Sequence, residues 1–199
     1  ADVVPGLAGP DWIAEWKANP GEESPEYAIR VKGNFHSGRE GKVLPFEVID
    51  MAEAAFDVTP FEGQLQIGID PAGDKAEGDS TAMAVRRGQK IGTVLRWQSL
   101  TIDGILENAL GLLATYRIER EATPRIAVDA GGTLGADVVS KFRAYLHAHP
   151  GEFELVVVLG SRPPSRGWSS EYSHLRDEVW GEFRNWLEAG GAIPSRPQL

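Results

Sequence analysis

The sequence predicts an α/β fold in which a mixed β-sheet is flanked by helices in three layers. Two observations carry this. From Thr101 onward, longer stretches whose apolar residues recur at helical spacing alternate with short apolar runs. Ahead of that alternation, three strand-like runs follow one another as a meander does, so antiparallel and parallel pairs must share one sheet.

Residues 1–60 read as an appendage with little repeating strand character. GPDWIAEWKANPG predicts a short helix, capped by Asp11 and stopped by Asn19-Pro20-Gly21. EYAIRVKGNF predicts a strand with Tyr27, Ile29 and Val31 on one face. A loop rich in glycine and charge follows, and PFEVIDMAEAAF predicts a helix with Pro45 in its first turn.

The pattern changes at Gln64. LQIGID, STAMAVRRG and KIGTVLRWQSL are strands, the last two joined by a tight turn at Gly88-Gln89. TIDGILENALGLLATYRIER places Ile102, Ile105, Leu106, Ala109, Leu110 and Leu113 on one helical face. RIAVD is the next strand. LGADVVSKFRAYLHAH is a helix with Val138, Val139, Phe142 and Leu146 inward, and ELVVVLG is a strand apolar enough to expect cover on both faces. After the SRPPSRGWSS loop, EYSHLRDEVWGEFRNWLEAGG is an amphipathic helix. Tyr172, Leu175, Val179, Trp180, Phe183 and Leu187 form its apolar side, and Gly190-Gly191 ends it. The order β-β-β-α-β-α-β-α is that of the ribonuclease-H-like fold, whose first and fourth strands lie side by side.

Two of these strands end in an aspartate followed at once by small residues: Asp70 before Pro71-Ala72-Gly73, and Asp129 before Ala130-Gly131-Gly132. A carboxylate closing a buried strand is costly unless it emerges into a cleft or meets a cation. Two built alike point to one acidic site at the carboxyl edge of the sheet. Mg²⁺ and Mn²⁺ are the hard cations that carboxylate oxygens suit. Two such ions about 4 Å apart can align an in-line attack on phosphorus, for which Asp70 and Asp129 are an incomplete ligand set. The loop after Asp70 adds Asp74, Glu77 and Asp79. Asp79 either turns back on the site or caps the turn with Ser80-Thr81. Read alone, Asp129 is equally a cap for the helix after it.

Composition narrows the chemistry. The chain has 199 residues, 42% hydrophobic and 25% charged, as a soluble globular protein does. It has no cysteine, which excludes disulfides and thiolate metal sites. The four histidines form no ligand cluster with the acids in sequence, and no Walker A loop or serine nucleophile elbow occurs. No run is long enough to span a bilayer. The chain opens on Ala1, as expected of a fragment or a processed product. A net charge of -9 argues against a free-standing DNA-binding domain but not against a nuclease, whose acids a metal neutralises. Arg86, Arg87, Lys90, Arg162 and Arg166 are the candidate DNA-binding rim; as single residues each reads first as a solvated surface charge.

Taken together, four stretches resemble the C-terminal nuclease domain of the phage terminase large subunit. PEYAIRVKGNF with LPFEVIDMAEAAF is similar to the segment linking that motor's ATPase domain to its nuclease. IGIDPAGDKAEGDSTAMAVRRG resembles its first acidic motif, IAVDAGGTLGADVVSKFRAY its second, and EYSHLRDEVWGEFRNWLEAGGAIP its late amphipathic helix and glycine turn. The resemblance implies a nuclease domain over residues 61–199, preceded by a linker from the ATPase side. It implies a metal-dependent endonuclease that cuts concatemeric viral double-stranded DNA, with Asp70 and Asp129 as the first two metal-binding acids and Asp79 at a motif position of less certain role. It also implies an N-terminal ATPase domain, a small terminase subunit and a portal as partners, in the host cell cytoplasm. The family's third acid lies in a helix beyond a turn like Ala189-Gly190-Gly191. The chain stops at Leu199 without a clear match, leaving Asp177 and Glu178 as poor substitutes.

Three rivals remain open on sequence, one of them a non-catalytic packaging module that only docks on a portal or DNA. A Holliday-junction-resolvase-like nuclease also opens with a strand and a GIDPG-like turn. An ATP-binding domain of the actin and sugar-kinase type uses phosphate loops that DAGGT at Asp129–Thr133 resembles, although it needs a second, similar half.

Overall fold

The computed structural model describes residues 10–22, 27, 31, 43–73, 78–165 and 172–195. The chain divides into two compact units, residues 1–47 and 48–199. In the first, helix α1 (Pro10–Trp16) opens on a proline, whose missing N–H is no loss in a first turn. Asp11 falls within this helix, and the cap expected of its side chain lies outside what the structure describes. A π-helical turn, Lys17–Gly21, closes the helix where the Asn-Pro-Gly stop was expected. Of the expected strand around residues 26–35, only Tyr27 and Val31 are described. The Val31 N–H donates to the Tyr27 carbonyl at 2.9 Å, the i to i−4 bond of a helical turn. A short apolar run is ambiguous between the two periods, and at these two residues the helical one prevails.

Helix α2 (Phe46–Ala54) begins just after Pro45 and runs into the second unit. There Ala52 is buried, and its carbonyl accepts from the Ile193 N–H at 3.2 Å.

Five strands form one sheet among the described residues: β1 (Leu65–Asp70), β2 (Thr81–Arg87), β3 (Lys90–Trp97), β4 (Arg125–Asp129) and β5 (Glu154–Val158). Their order is β3-β2-β1-β4-β5. β1 is antiparallel to β2 and parallel to β4, and β4 is parallel to β5. The three-strand meander and the two later crossover strands produce this mixture.

Strand alternation divides the sheet into two unlike faces. On one, Leu65, Ile67 and Ile69 align with Met83 and Val85 of β2 and Ile126 and Val128 of β4, all buried. Helices α3 (Ile102–Tyr116) and α4 (Gly132–Ala148) cover that face with Ile105, Leu106, Ala109, Leu113, Val138, Val139 and Phe142. A fully buried side chain such as Phe142 contributes about 1.5–3 kcal/mol. α3 starts at Thr101, whose Oγ1 accepts from the Gly104 N–H at 3.1 Å. It stops at Tyr116, before the RIER stretch.

The second face carries small or polar groups: Gly68, Asp70, Ala82, Ala84, Arg86, Ala127 and Asp129. Helix α5 (Leu175–Glu188) lies on its β2–β3 side, where the Arg86 guanidinium sits 4.7 Å over the Trp186 ring. The helix ends in a Schellman motif: the Gly190 N–H donates to Leu187 at 3.0 Å and the Gly191 N–H to Trp186 at 2.9 Å. Gly190 has φ +95°, which a side chain would strain. The chain then pairs with β3 through Ala192, which donates to Gln89 at 2.7 Å and accepts from Ile91 at 2.9 Å.

Two expectations of burial need correction. Val179 and Trp180 are 47% and 48% exposed, and buried Glu178 stands on the same helix in their stead. β5 is half-buried along Leu155–Val158, because it is the edge strand of the described sheet and lacks a neighbour on one side.

Candidate metal centre

Asp70 and Asp129 close the two parallel strands at the middle of the sheet. The register pairs Ile69 with Val128, so the next rung sets Asp70 beside Asp129. Neighbouring strands lie about 4.8 Å apart. Alternation sends both side chains to the second face at the carboxyl edge, and both residues are exposed. Hydrogen bonds and close packing just beyond each strand end hold the two acids in place. The Gly131 N–H donates to Asp129 Oδ1 at 2.9 Å, which leaves Oδ2 without a hydrogen-bond partner among the described residues. A Cβ on Gly135 would lie 2.6 Å from the Asp129 carbonyl oxygen, so only glycine lets the start of α4 sit this close to the strand end. After Asp70, Thr81 Oγ1 accepts from the Ala72 N–H at 3.0 Å and donates to the Ala72 carbonyl at 3.1 Å.

Partial burial, then the charges of Asp129 and Asp79, push the Asp70 carboxyl above its ordinary range. A divalent ion beside these like charges would oppose the shift. The residues therefore fit an oxygen-ligand metal at Asp70 and Asp129. Asp79 is exposed and bears on Asp70 through its charge, and Thr81 bonds back to Ala72 across the turn. No group of three or more His, Asp or Glu close enough to hold a metal occurs among the described residues. Asp74 and Glu77 lie outside those residues. Asp177 is committed to a helix cap, accepting from the His174 N–H at 3.1 Å. Glu178 is 6% exposed and takes both the Ser165 N–H, at 2.7 Å, and the Ser165 hydroxyl.

The expected basic rim divides. Arg87 is 2% exposed, paired with Glu121 at 2.5 Å and bonded to the carbonyls of Gly63 and Tyr116, so its guanidinium has no reach to a phosphate. The signal was in the sequence: Thr81, Met83, Val85 and Arg87 share the buried parity of β2. Arg86 donates Nε to the Gly88 carbonyl at 2.9 Å, and burial lowers its pKa. Lys90 Nζ lies 4.2 Å over the Phe56 ring. All three stand near Leu65, the far end of β1 from Asp70, roughly 17 Å along the strand. Arg162 is exposed and follows β5, whose Val158 pairs with Asp129, so it lies at the edge that carries the acids. Arg166 falls outside the described residues.

No protein-family model matches the chain, and no characterised protein matches it in sequence. Solved structures do match in fold. The nuclease domain of the large terminase subunit of bacterial virus Sf6 superposes with a TM-score of 0.61 at 14% identity, over 74% of this chain and 65% of that one. A variant of that domain with manganese gives a TM-score of 0.58 at 15% identity, over 74% of this chain and 64% of that one. The chain thus spans less than two thirds of the Sf6 domains it resembles. The sheet order, the mixed pairing and the flanking helices are ribonuclease-H-like, and the chain has the fold of a phage large-terminase nuclease domain.

Proposed function

We propose that the chain is a divalent-metal-dependent endonuclease that cuts concatemeric viral double-stranded DNA during genome packaging. The observation that carries this reading is the pair Asp70 and Asp129, set on adjacent rungs of parallel strands, on one face and at one edge. The likeness to terminase nuclease domains supports it, and so do the Sf6 structures with calcium and with manganese. Two Mg²⁺ or Mn²⁺ ions, when bound, supply Lewis-acid and nucleophile activation for in-line hydrolysis of a phosphodiester. Asp129 offers Oδ2, its other oxygen being fixed by Gly131, and Asp70 offers a carboxylate on which the charges of Asp129 and Asp79 bear. Asp79 adds negative charge beside them. Arg162 attracts the DNA backbone to the same edge. By the same likeness, the chain works with an ATPase domain, a small terminase subunit and a portal in the host cytoplasm. Commitment of the Gly131 N–H to Asp129 weighs against an ATP phosphate loop at DAGGT, where that amide would face a phosphate.

Plasmid nicking with Mn²⁺ tests the reading. Loss of an outer-shell partner of a metal typically costs about 10–100-fold, so Asp70→Asn and Asp129→Asn should each lower nicking by at least ~100-fold while keeping the wild-type circular dichroism spectrum. Undiminished nicking in either variant would overturn it.

A further inference from the structure

We propose that Thr81 is a positioning residue: its hydroxyl clamps the turn after Asp70 and so sets the geometry with which Asp70 meets a divalent cation. The inference rests on the metal-dependent reading above.

The β1–β2 ladder ends at the pair Asp70 and Ala82. Beyond it the two strands part, and the polar groups of Ala72 no longer have a ladder partner. Thr81 takes both of them, the N–H at 3.0 Å and the carbonyl at 3.1 Å, through one hydroxyl. The residue is 1% exposed, so water does not compete for these bonds. Its own backbone pairs with Trp97 of β3, which anchors the clamp in the sheet.

The intervening proline makes the clamp act on Asp70. Pro71 has its φ locked, and it restricts the residue before it to extended backbone. With Ala72 fixed at both polar groups and Pro71 rigid, the backbone of Asp70 has little freedom left. The clamp opposes a real force: Asp129 and Asp79 repel the Asp70 carboxylate whenever no cation stands between them. A valine at position 81 would keep the shape and lose both bonds. A serine would keep the hydroxyl.

Two measurements test this on the whole chain. Amide hydrogen exchange at Ala72, without metal, should be protected in wild type and in Thr81→Ser and about tenfold faster or more in Thr81→Val. Mn²⁺ affinity by titration calorimetry should fall about 10-fold in Thr81→Val and stay close to wild type in Thr81→Ser. If Thr81→Val does not fold by circular dichroism, Thr81→Cys, of similar size and with a far weaker donor, is held to the same two criteria. Mn²⁺ affinity equal to wild type in a folded variant whose Ala72 amide exchanges freely would overturn the positioning role alone. Absence of Mn²⁺ binding by wild type would overturn the metal-dependent reading and the inference with it.

Discussion

Replacing Gly135 by alanine tests whether the approach of α4 to β4 places Asp129. An alanine Cβ would stand 2.6 Å from the Asp129 carbonyl oxygen and 2.7 Å from the Ala130 carbonyl carbon and Cα. Ordinary contact begins near 3.4 Å, so helix and strand end must separate by about 0.8 Å. The obstructing atoms are backbone and cannot swing aside. Overpacking of this kind costs about 1–3 kcal/mol, and alanine returns up to about 1 kcal/mol of helix propensity. The expected net loss is about 1–2 kcal/mol, a fall in Tm of roughly 2–8 °C for a domain of this size. Gly111, in the middle of α3, is the control: a Cβ there meets nothing within 4 Å. Gly111→Ala should gain about 0.5–1 kcal/mol. Calorimetric melting of the two variants gives the stability comparison. A shift near 1 Å at a reacting group can cost on the order of 100-fold in rate, so Mn²⁺-dependent nicking should collapse in Gly135→Ala and persist in Gly111→Ala. If Gly135→Ala melts as high as Gly111→Ala, the close approach does not constrain Asp129 and the reasoning fails.

Three further outcomes are expected. The Asp70 carboxyl titrates above its ordinary value of 3.8, so the unfolded chain ionises first as pH rises and stability is lost between the two values and stays lost at neutral pH. Metal-free Asp70→Asn should therefore melt above wild type at pH 7, with the gap closing as pH falls below the ordinary carboxylate range; Mn²⁺ should reverse the order, and equal melting of the metal-free proteins at pH 7 would contradict the account. Arg87→Met strands the Glu121 carboxylate and two carbonyls, and urea unfolding should show a loss of about 3–5 kcal/mol, against under 1 kcal/mol were Arg87 a surface charge. Arg162→Glu should weaken nicking and its salt dependence while stability stays within about 0.5 kcal/mol; unchanged nicking would remove Arg162 from the DNA path.

Much of this architecture could be read from periodicity. All five strands of the sheet and the three helices after Leu100 stand where alternation and helical spacing put them, because each buries one face against a common core. The adjacency of Asp70 and Asp129 followed from element order, since a parallel fourth strand beside the first leaves both carboxyl ends at one edge. What periodicity missed depended on partners distant in the chain. Glu178 is buried because Ser165 receives it, thirteen residues away, and Arg87 because Glu121 does, thirty-four away. Neither pairing leaves a local trace, although the parity of Arg87 with Thr81, Met83 and Val85 marked its side chain as inward. Val179 and Trp180 were misplaced for a related reason. Their helical spacing is right for burial, but α5 buries Leu187 and Glu178 and turns those two outward. α4 starts at Gly132, ahead of the expected Leu134 or Gly135.

The central claim is that Asp70 and Asp129 together hold a divalent cation. Anomalous diffraction at the manganese edge from Mn²⁺-soaked crystals tests it most directly. The account predicts an anomalous peak between the two carboxylates, within about 2.0–2.6 Å of Asp129 Oδ2, the range of hard cations on oxygen, and its disappearance in Asp70→Asn. A soaked crystal with no peak there, or with its peaks only at other acids, would contradict it.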